Sequence, residues 1–533
     1  MATLQRALFA GIAMSLALPL AACGASSSSS SSSGAPVDGR AFAMGLATDP
    51  GTLDPTMSSS TAARQIFTLF YDSLVYGKDD GTFVPGLAER WTSTANSVTF
   101  TLKKNVTCSD GSPFTATDVA DNIKYIAEPK NGSPLLSVLV QPGTTTKADD
   151  ASGVVTVTTA AADGLLLGEI SGLYMLCRSG LKDHKSVTQK GAGTGPYNLT
   201  EVVPGDHYTF TPRKDYTWGP DGQSMSGKGV PTSATVRIIP NQATIANLLR
   251  SGELNYAGVT GPDAKRVPAG FKSIKTLDTS GEIWFNERAG HAGADPAVRQ
   301  ALVTAVDRVA FSKVATGGTG QPSTGLITLA PNPCVATDTV GPNLPKPEPT
   351  KAMQILDSAG WVKGSDGVRA KAGRKLELKL VYAATGLSAR TAGLEFLTSQ
   401  WQAVGAKVDL QMVPPAQLDT ILFSTGAWDA TATAFTFNLP SQLVGFVSGP
   451  TSPDGANFAN IQNADYTKAV GLARPLVGDK SCPQWSQAEE SLVKSYNPAP
   501  LFNDVIQNFY TDVQITAPAL QIWGSSIRML AQH

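Results

Sequence analysis

The stretch from Leu376 to Met412 most constrains the fold. Leu376–Tyr382 reads as a short apolar strand, Ser388–Val404 as a helix and Ala406–Met412 as a second strand. Strands joined through a helix pair parallel, with the helix packed across one face of their sheet, so this part of the chain is α/β. Elsewhere the rhythm changes. Residues 97–103 (SVTFTLK) and 207–213 (HYTFTPR) alternate apolar and polar side chains, as half-buried antiparallel strands do. Residues 153–159 and 234–239 add two further strands. Thr115 or Thr117 caps a helix through Ala127, with Asp118 in its first turn, and Asn241–Leu249 forms another that stops near Gly252. Asp295-Pro296 opens one long amphipathic helix over Ala297–Lys313, and Ala352–Ala359 is a short helix ended by Gly360. No internal repeat is present.

The start of the chain is a targeting signal. Arg6 precedes an apolar run, Ala7 to Leu20, which ends in Leu20-Ala21-Ala22-Cys23. A basic start, a short apolar core and small residues before a cleavage point make a secretory signal, and the Cys makes it a bacterial lipobox. Fourteen apolar residues with Gly11 and Pro19 fall short of the ~20 that span a bilayer. The reading is a signal peptide over 1–22 and a lipid on Cys23 that holds the mature chain to the outer face of the cytoplasmic membrane. Residues 24–35 (GASSSSSSSSGA) bury nothing and serve as a flexible tether, taken as 23–38.

About 511 residues remain, too many for one core and enough for two or three domains. Charged residues are only 16% and the net charge is −1, which leaves no basic surface for nucleic acid or an anionic membrane. Cys108, Cys177, Cys334 and Cys482 can form two disulfides in three connectivities in an exported chain. If the two halves of the chain are separate lobes, Cys108–Cys177 and Cys334–Cys482 are the natural pairs.

Motifs for catalysis are near misses. Gly222–Lys228 (GQSMSGK) has the spacing of a phosphate-binding loop, but Gly229 stands where a hydroxyl should bind magnesium, and the surroundings are loop. The glycine-rich run 191–195 is followed by Pro196 rather than by a helix, which argues against dinucleotide binding. There is no GxSxG or HExxH, and His184, His207, His291 and His533 are far apart. The expectation is no enzyme, no metal and no cofactor.

Several blocks, in order from about residue 40 to 530, resemble the solute-binding proteins of peptide-type ABC importers, family 5, the oligopeptide, dipeptide and nickel-binding group. They include Thr52-Leu53-Asp54-Pro55, Tyr71-Asp72-Ser73-Leu74, residues 84–91 (VPGLAERW), residues 110–119 (DGSPFTATDV), residues 193–197 (GTGPY) and Asp215-Tyr216-Thr217-Trp218. Later come Ser251-Gly252-Glu253-Leu254, Phe285-Asn286, residues 298–302 (VRQAL), residues 305–308 (AVDR) and Ala359-Gly360-Trp361. Trp91, Tyr197 and Trp361 read as core anchors. The resemblance implies a two-lobed periplasmic-binding-protein-like fold of type II, in its large peptide-binding class, with an extra subdomain and a hinged cleft. Lobe I is 39–56 plus 193–282 plus 500–533, its subdomain 57–192, and lobe II 283–499. The hinge crossovers fall near Thr279–Asn286 and Tyr496–Phe502. Pairing of the cysteines within lobes suits such a hinge.

What this implies is a monomeric capture protein that hands a solute to permease and ATPase subunits. An exported sensor with the same fold, or an exported hydrolase, are the alternatives. In dipeptide binders of the family an Asp of lobe II pairs with the peptide's amino terminus. Here the matching stretch, residues 433–440 (TAFTFNLP), has no acid, and no Arg stands at Ala383–Thr385; Arg390 is the nearest. A zwitterion buried without counter-charges costs several kcal/mol. The expected ligand is therefore a longer peptide or another weakly charged solute. Phe435, Phe437 and Asn438 would contact it from one lobe and Met57, Ser58 and Ser59 from the other. The two Phe have an equal claim to core packing.

Overall fold

The computed structural model describes residues 34–532, except 279, 335–336, 385–387 and 436. Cys23 and the Ser-rich segment up to residue 33 lie outside the described residues.

Two sheets organise the molecule. The larger runs, in order, Lys272–Asp278, Phe502–Tyr510, Tyr256–Gly258, Phe42–Leu46, Ala234–Ile238, His207–Pro212 and Tyr197–Val203. Phe42–Leu46 lies parallel to both of its neighbours, and the remaining pairs are antiparallel. The smaller has five strands, Lys407–Val413, Glu377–Ala383, Ala430–Ala432, Glu282–Phe285 and Ala499–Pro500. In it Glu377–Ala383 and Lys407–Val413 pair parallel through the helix Ser388–Ala403, as the sequence pattern dictates. A third, four-stranded antiparallel sheet (Ala88–Ser93, Ser97–Leu102, Val154–Thr158, Thr145–Asp149) belongs to residues 57–192.

The larger sheet and the 57–192 segment share one apolar core around Phe42, Phe67, Tyr71, Phe100 and Phe210. The five-stranded sheet has two cores. One is built on Val298, Leu302, Leu380 and Trp401, the other on Trp284, Trp428, Phe458 and Trp485. Leu165, from the 57–192 segment, is buried in the latter. The fold is thus two-lobed and α/β.

The connection between the lobes is a ribbon. Lys272–Asp278 and Phe502–Tyr510 pair antiparallel at the edge of the larger sheet, and the same chains pair again as Glu282↔Pro500 and Ile283↔Ala499 in the smaller. Between them Gly281 N–H donates to Phe502 O (3.0 Å) and Leu501 N–H to Gly281 O (2.8 Å). Gly281 is required here, because a Cβ would lie 2.1 Å from the Phe502 ring.

Local signals acted where they stand. Thr115 and Asp118 form a reciprocal cap on Ala116–Ala127, and the Asn241 side chain caps Gln242–Ser251, which ends at Gly252 with φ +78°. Disulfides join Cys108 to Cys177 and Cys334 to Cys482. Two expectations need correction. The long helix over 297–313 is two helices, Pro296–Thr304 and Arg308–Ala315. The Asp307 carboxylate accepts the Ala310 N–H at 3.0 Å, and so starts a second helix where periodicity alone continued the first. Trp91 is only half-buried, on the edge strand Ala88–Ser93, whereas Tyr197 and Trp361 are core residues.

Candidate functional site

Met57, Ser58 and Ser59 follow a tightly held turn. Asp54, buried, accepts from the backbone N–H and the hydroxyl of Thr56 (2.9 and 2.7 Å). Its other oxygen lies 2.6 Å from His184 Nδ1. Tyr71 OH donates to Leu53 O and Ser133 OH to Thr56 O, at 3.0 and 2.6 Å. The His184 ring stacks on Tyr125 at 4.0 Å, and Tyr125 OH meets Met57 Sδ at 3.7 Å. Met57 is thus half-buried against Tyr125, Ser58 is buried, and Ser59 is exposed just before the helix Thr61–Phe70.

The segment 433–440 leaves the end of the strand Ala430–Ala432. Phe435 and Phe437 do not alternate along a strand. They stack on each other (5.6 Å, 7° between planes), and both pack on Phe446, at 4.4 and 5.4 Å. Phe435 also meets Trp284 edge-on at 5.5 Å and lies 5.8 Å from Phe458. Both Phe keep part of their surface open. Asn438 donates from Nδ2 to Pro331 O at 2.9 Å, while its N–H and that of Leu439 reach Gln442 Oε1 at 3.2 Å, which starts the helix Pro440–Val447. Among the described residues, no hydrogen bond or ring contact joins Met57–Ser59 to Phe435, Phe437 or Asn438.

Two residues at this place, Trp284 and Glu282, escaped sequence reasoning, and a third, Arg390, is the guanidinium named above as the nearest. Trp284, 0% exposed, donates from Nε1 to Glu282 Oε2 at 3.0 Å. Glu282 is itself buried and also receives the Phe435 backbone N–H; burial pushes its carboxyl well above the usual range. Arg390, in the first turn of Ser388–Ala403, donates to Ala432 O at 3.1 Å, and burial holds its guanidinium below its ordinary value. The stretch that looks uncharged in the sequence therefore has a guanidinium at its start and a carboxyl beneath it. Both come from elements distant in the chain; Arg390 is legible in the sequence as the nearest guanidinium, and no local pattern signals Glu282. The acid-free, Arg-free reading holds for the segment alone and not for its surroundings.

A strap crosses above this segment. Gln321–Pro322 pairs with Phe502 and Asn503 at the larger sheet, and the chain then runs to the Cys334–Cys482 bridge. Glu489, half-buried, accepts the Leu326 N–H at 2.9 Å. Pro331 and Pro333 press on Gly77 and Gly81, where Cβ atoms would lie 2.6 and 2.7 Å away.

The lobes also meet along a seam. Gly164 N–H donates to Arg474 O (2.8 Å), and Gly478 N–H to Gly164 O (3.0 Å). Leu439 fills the space over Gly168, and the Ser441 hydroxyl donates to Glu169 Oε1 at 2.8 Å. The 57–192 segment and the second lobe are therefore in direct contact along this seam. His207 and His291 hydrogen-bond to Asp206 and Asp429, and among the described residues no three His, Cys, Asp or Glu side chains are placed to hold a metal ion.

The sequence model of the bacterial extracellular solute-binding proteins, family 5, matches residues 82–458. Protein XP55 of Streptomyces lividans is 26% identical over 428 residues, which are 72% of this chain and 73% of that one. Among solved structures, a substrate-binding protein from Microbacterium hydrocarbonoxydans, complexed with 4-hydroxybenzoate hydrazide, superposes with a TM-score of 0.74 at 25% identity. It covers 92% of this chain and 100% of that one. The oligopeptide-binding protein AppA of Bacillus subtilis, in complex with a nonapeptide, gives 0.73 at 19% identity, covering 93% and 100%.

Proposed function

Because the chain belongs to the bacterial extracellular solute-binding proteins of family 5, we propose that it is the capture subunit of an ABC importer. It is lipid-anchored through Cys23 outside the cytoplasmic membrane, and as a monomer it encloses a solute between its lobes for delivery to a permease. The observation that carries the reading is the paired ribbon at Gly281, Leu501 and Phe502. Two adjacent crossovers form an axis about which rigid lobes turn, and ligand contacts to both lobes stabilise the turned state. In this reading residues 39–56, 193–282 and 500–533 form one lobe with 57–192 as its subdomain, and 283–499 form the other.

The ligand class is a peptide longer than two residues or another weakly charged solute. The stacked pair Phe435 and Phe437, with Asn438, offers aromatic and amide contacts from the second lobe, and in this reading Met57, Ser58 and Ser59 supply the contacts from the first. A hydroxybenzoate hydrazide and a nonapeptide, the ligands named for two similar proteins, are both solutes that such a surface suits. The test is a thermal-shift panel of dipeptides, longer peptides, aromatic amides and hydrazides, sugars and metal chelates. A ligand at a hundredfold excess over its Kd adds about 2.7 kcal/mol to stability. Phe437→Ala and Asn438→Ala should abolish the shift given by the binding class. A free dipeptide that binds tightly and equally well to both variants would refute the ligand class and the site together.

A further inference from the structure

The seam holds two carboxyl groups that ligand capture does not use. Glu169 lies on the short helix Leu166–Ser171 and is 0% exposed. Beyond the Ser441 hydroxyl, its two oxygens receive the Gln141 amide at 3.2 and 3.3 Å. Asp163, also buried, brings its carboxyl within hydrogen-bonding reach of Glu169 and accepts the Leu165 N–H at 3.1 Å. Gln141, Asp163 and Glu169 stand on one side of the seam. Ser441 and Arg474 stand on the other.

The charges around the pair are few. Arg474 acts on Asp163 across the seam, and Arg64 donates to Gly172 O at the far end of the Glu169 helix. Ser97–Leu102 and Pro440–Val447 carry no ionisable side chain, and Tyr76 turns its hydroxyl to Asp72 at 2.7 Å. Among the described residues, no cation forms an ion pair with Glu169. Two enclosed carboxyl groups side by side cannot both ionise, so one proton stays between them.

Resting on the two-lobed closing reading above, we propose that Asp163 and Glu169 form a proton-loaded latch: the closed protein holds one proton on the pair, and its loss drives the lobes apart. When the lobes part, Ser441 and Arg474 withdraw and water reaches both carboxyls. The direction follows from linkage. Burial, and then the Asp163 charge, push Glu169 well above the ordinary carboxyl range in the closed form. In the open form, with water at both carboxyls, it falls back toward the ordinary carboxyl range. Closure is therefore favoured fully below the open value, and the preference is lost as pH rises through the closed one. Between the two, each pH unit changes the closed-to-open ratio about tenfold.

The test uses the full chain without ligand, spin-labelled through Lys147→Cys and Lys468→Cys, exposed sites on the two sides of the seam. Inter-label distances are read by pulsed dipolar spectroscopy from pH 5 to pH 9. The wild type should pass from a short to a long distance as pH rises. Glu169→Gln, which holds the neutral shape permanently, should stay short throughout. Asp163→Asn, which removes the neighbouring charge, should move the transition to lower pH. A wild-type distance that ignores pH overturns the latch, as does a Glu169→Gln profile that follows the wild type. If Glu169→Gln does not fold, an Asp163→Asn transition at unchanged pH overturns it. Gly164→Ala supplies the open reference; one short distance for that protein at every pH would overturn the closing reading itself.

Discussion

Replacing Gly164 by Ala tests whether the seam is a movable contact or part of the permanent core. A Cβ at this position would lie 1.8 Å from Leu476 O and 2.5 Å from its carbonyl carbon, where ordinary contact begins at 3.4 Å. Both atoms are backbone, so no side-chain rotation relieves the clash, and the two chains must separate by more than an ångström. That separation breaks the Gly164–Arg474 and Gly478–Gly164 hydrogen bonds, about 1 kcal/mol each in net terms. It also withdraws Leu165, 4% exposed, from the apolar cluster around Trp284 and Leu443, worth about 2 kcal/mol. The closed form loses about 4 kcal/mol, which lowers the closed-to-open ratio by roughly a thousandfold. If the lobes are free to turn, the open form accepts the methyl group without strain. At a pH above the latch transition, where the ligand-free protein is open, ligand affinity should then fall by that factor while the ligand-free melting temperature barely moves. Titration calorimetry with the ligand found in the thermal-shift panel, and scanning calorimetry without it, measure the two quantities. A variant that binds normally, or one whose ligand-free melting temperature drops as a 4 kcal/mol core defect requires, would refute the hinge argument.

Two other outcomes follow from single positions. Cys23→Ala should release the protein from membranes into the soluble fraction, since only the Ser/Gly tract joins that residue to the globular body; fractionation of cells shows it, and a variant that still pellets with membranes counts against the lipid anchor. Gly281→Ala should cost about 1–3 kcal/mol of stability, read as a lower denaturant midpoint, because its Cβ displaces the Phe502 ring, which packs edge-on against Phe311 at 5.1 Å.

The sequence by itself carried the local structure. Alternation at 97–102 and 207–212, caps at Thr115 and Asn241, and the strand–helix–strand run ending at Val413 depend on neighbours a few residues away, so they were legible without a partner. The ordered blocks from Thr52 to Trp361 carried the family, because turns and core anchors at fixed spacing are a property of the chain. The break at Ala305–Asp307 was harder to see, since apolar periodicity continues through it and only the Asp307 cap reveals a new start. The site was least legible. Phe435 and Phe437 were visible as residues, but whether they face ligand or core depends on Phe446, Phe458 and Trp284, which come from three other elements. Arg390, Glu282 and the Asp163–Glu169 pair gain their electrostatic character from burial. Burial is set by how sheets and segments far apart in the chain close over one another, and only the tertiary structure decides it.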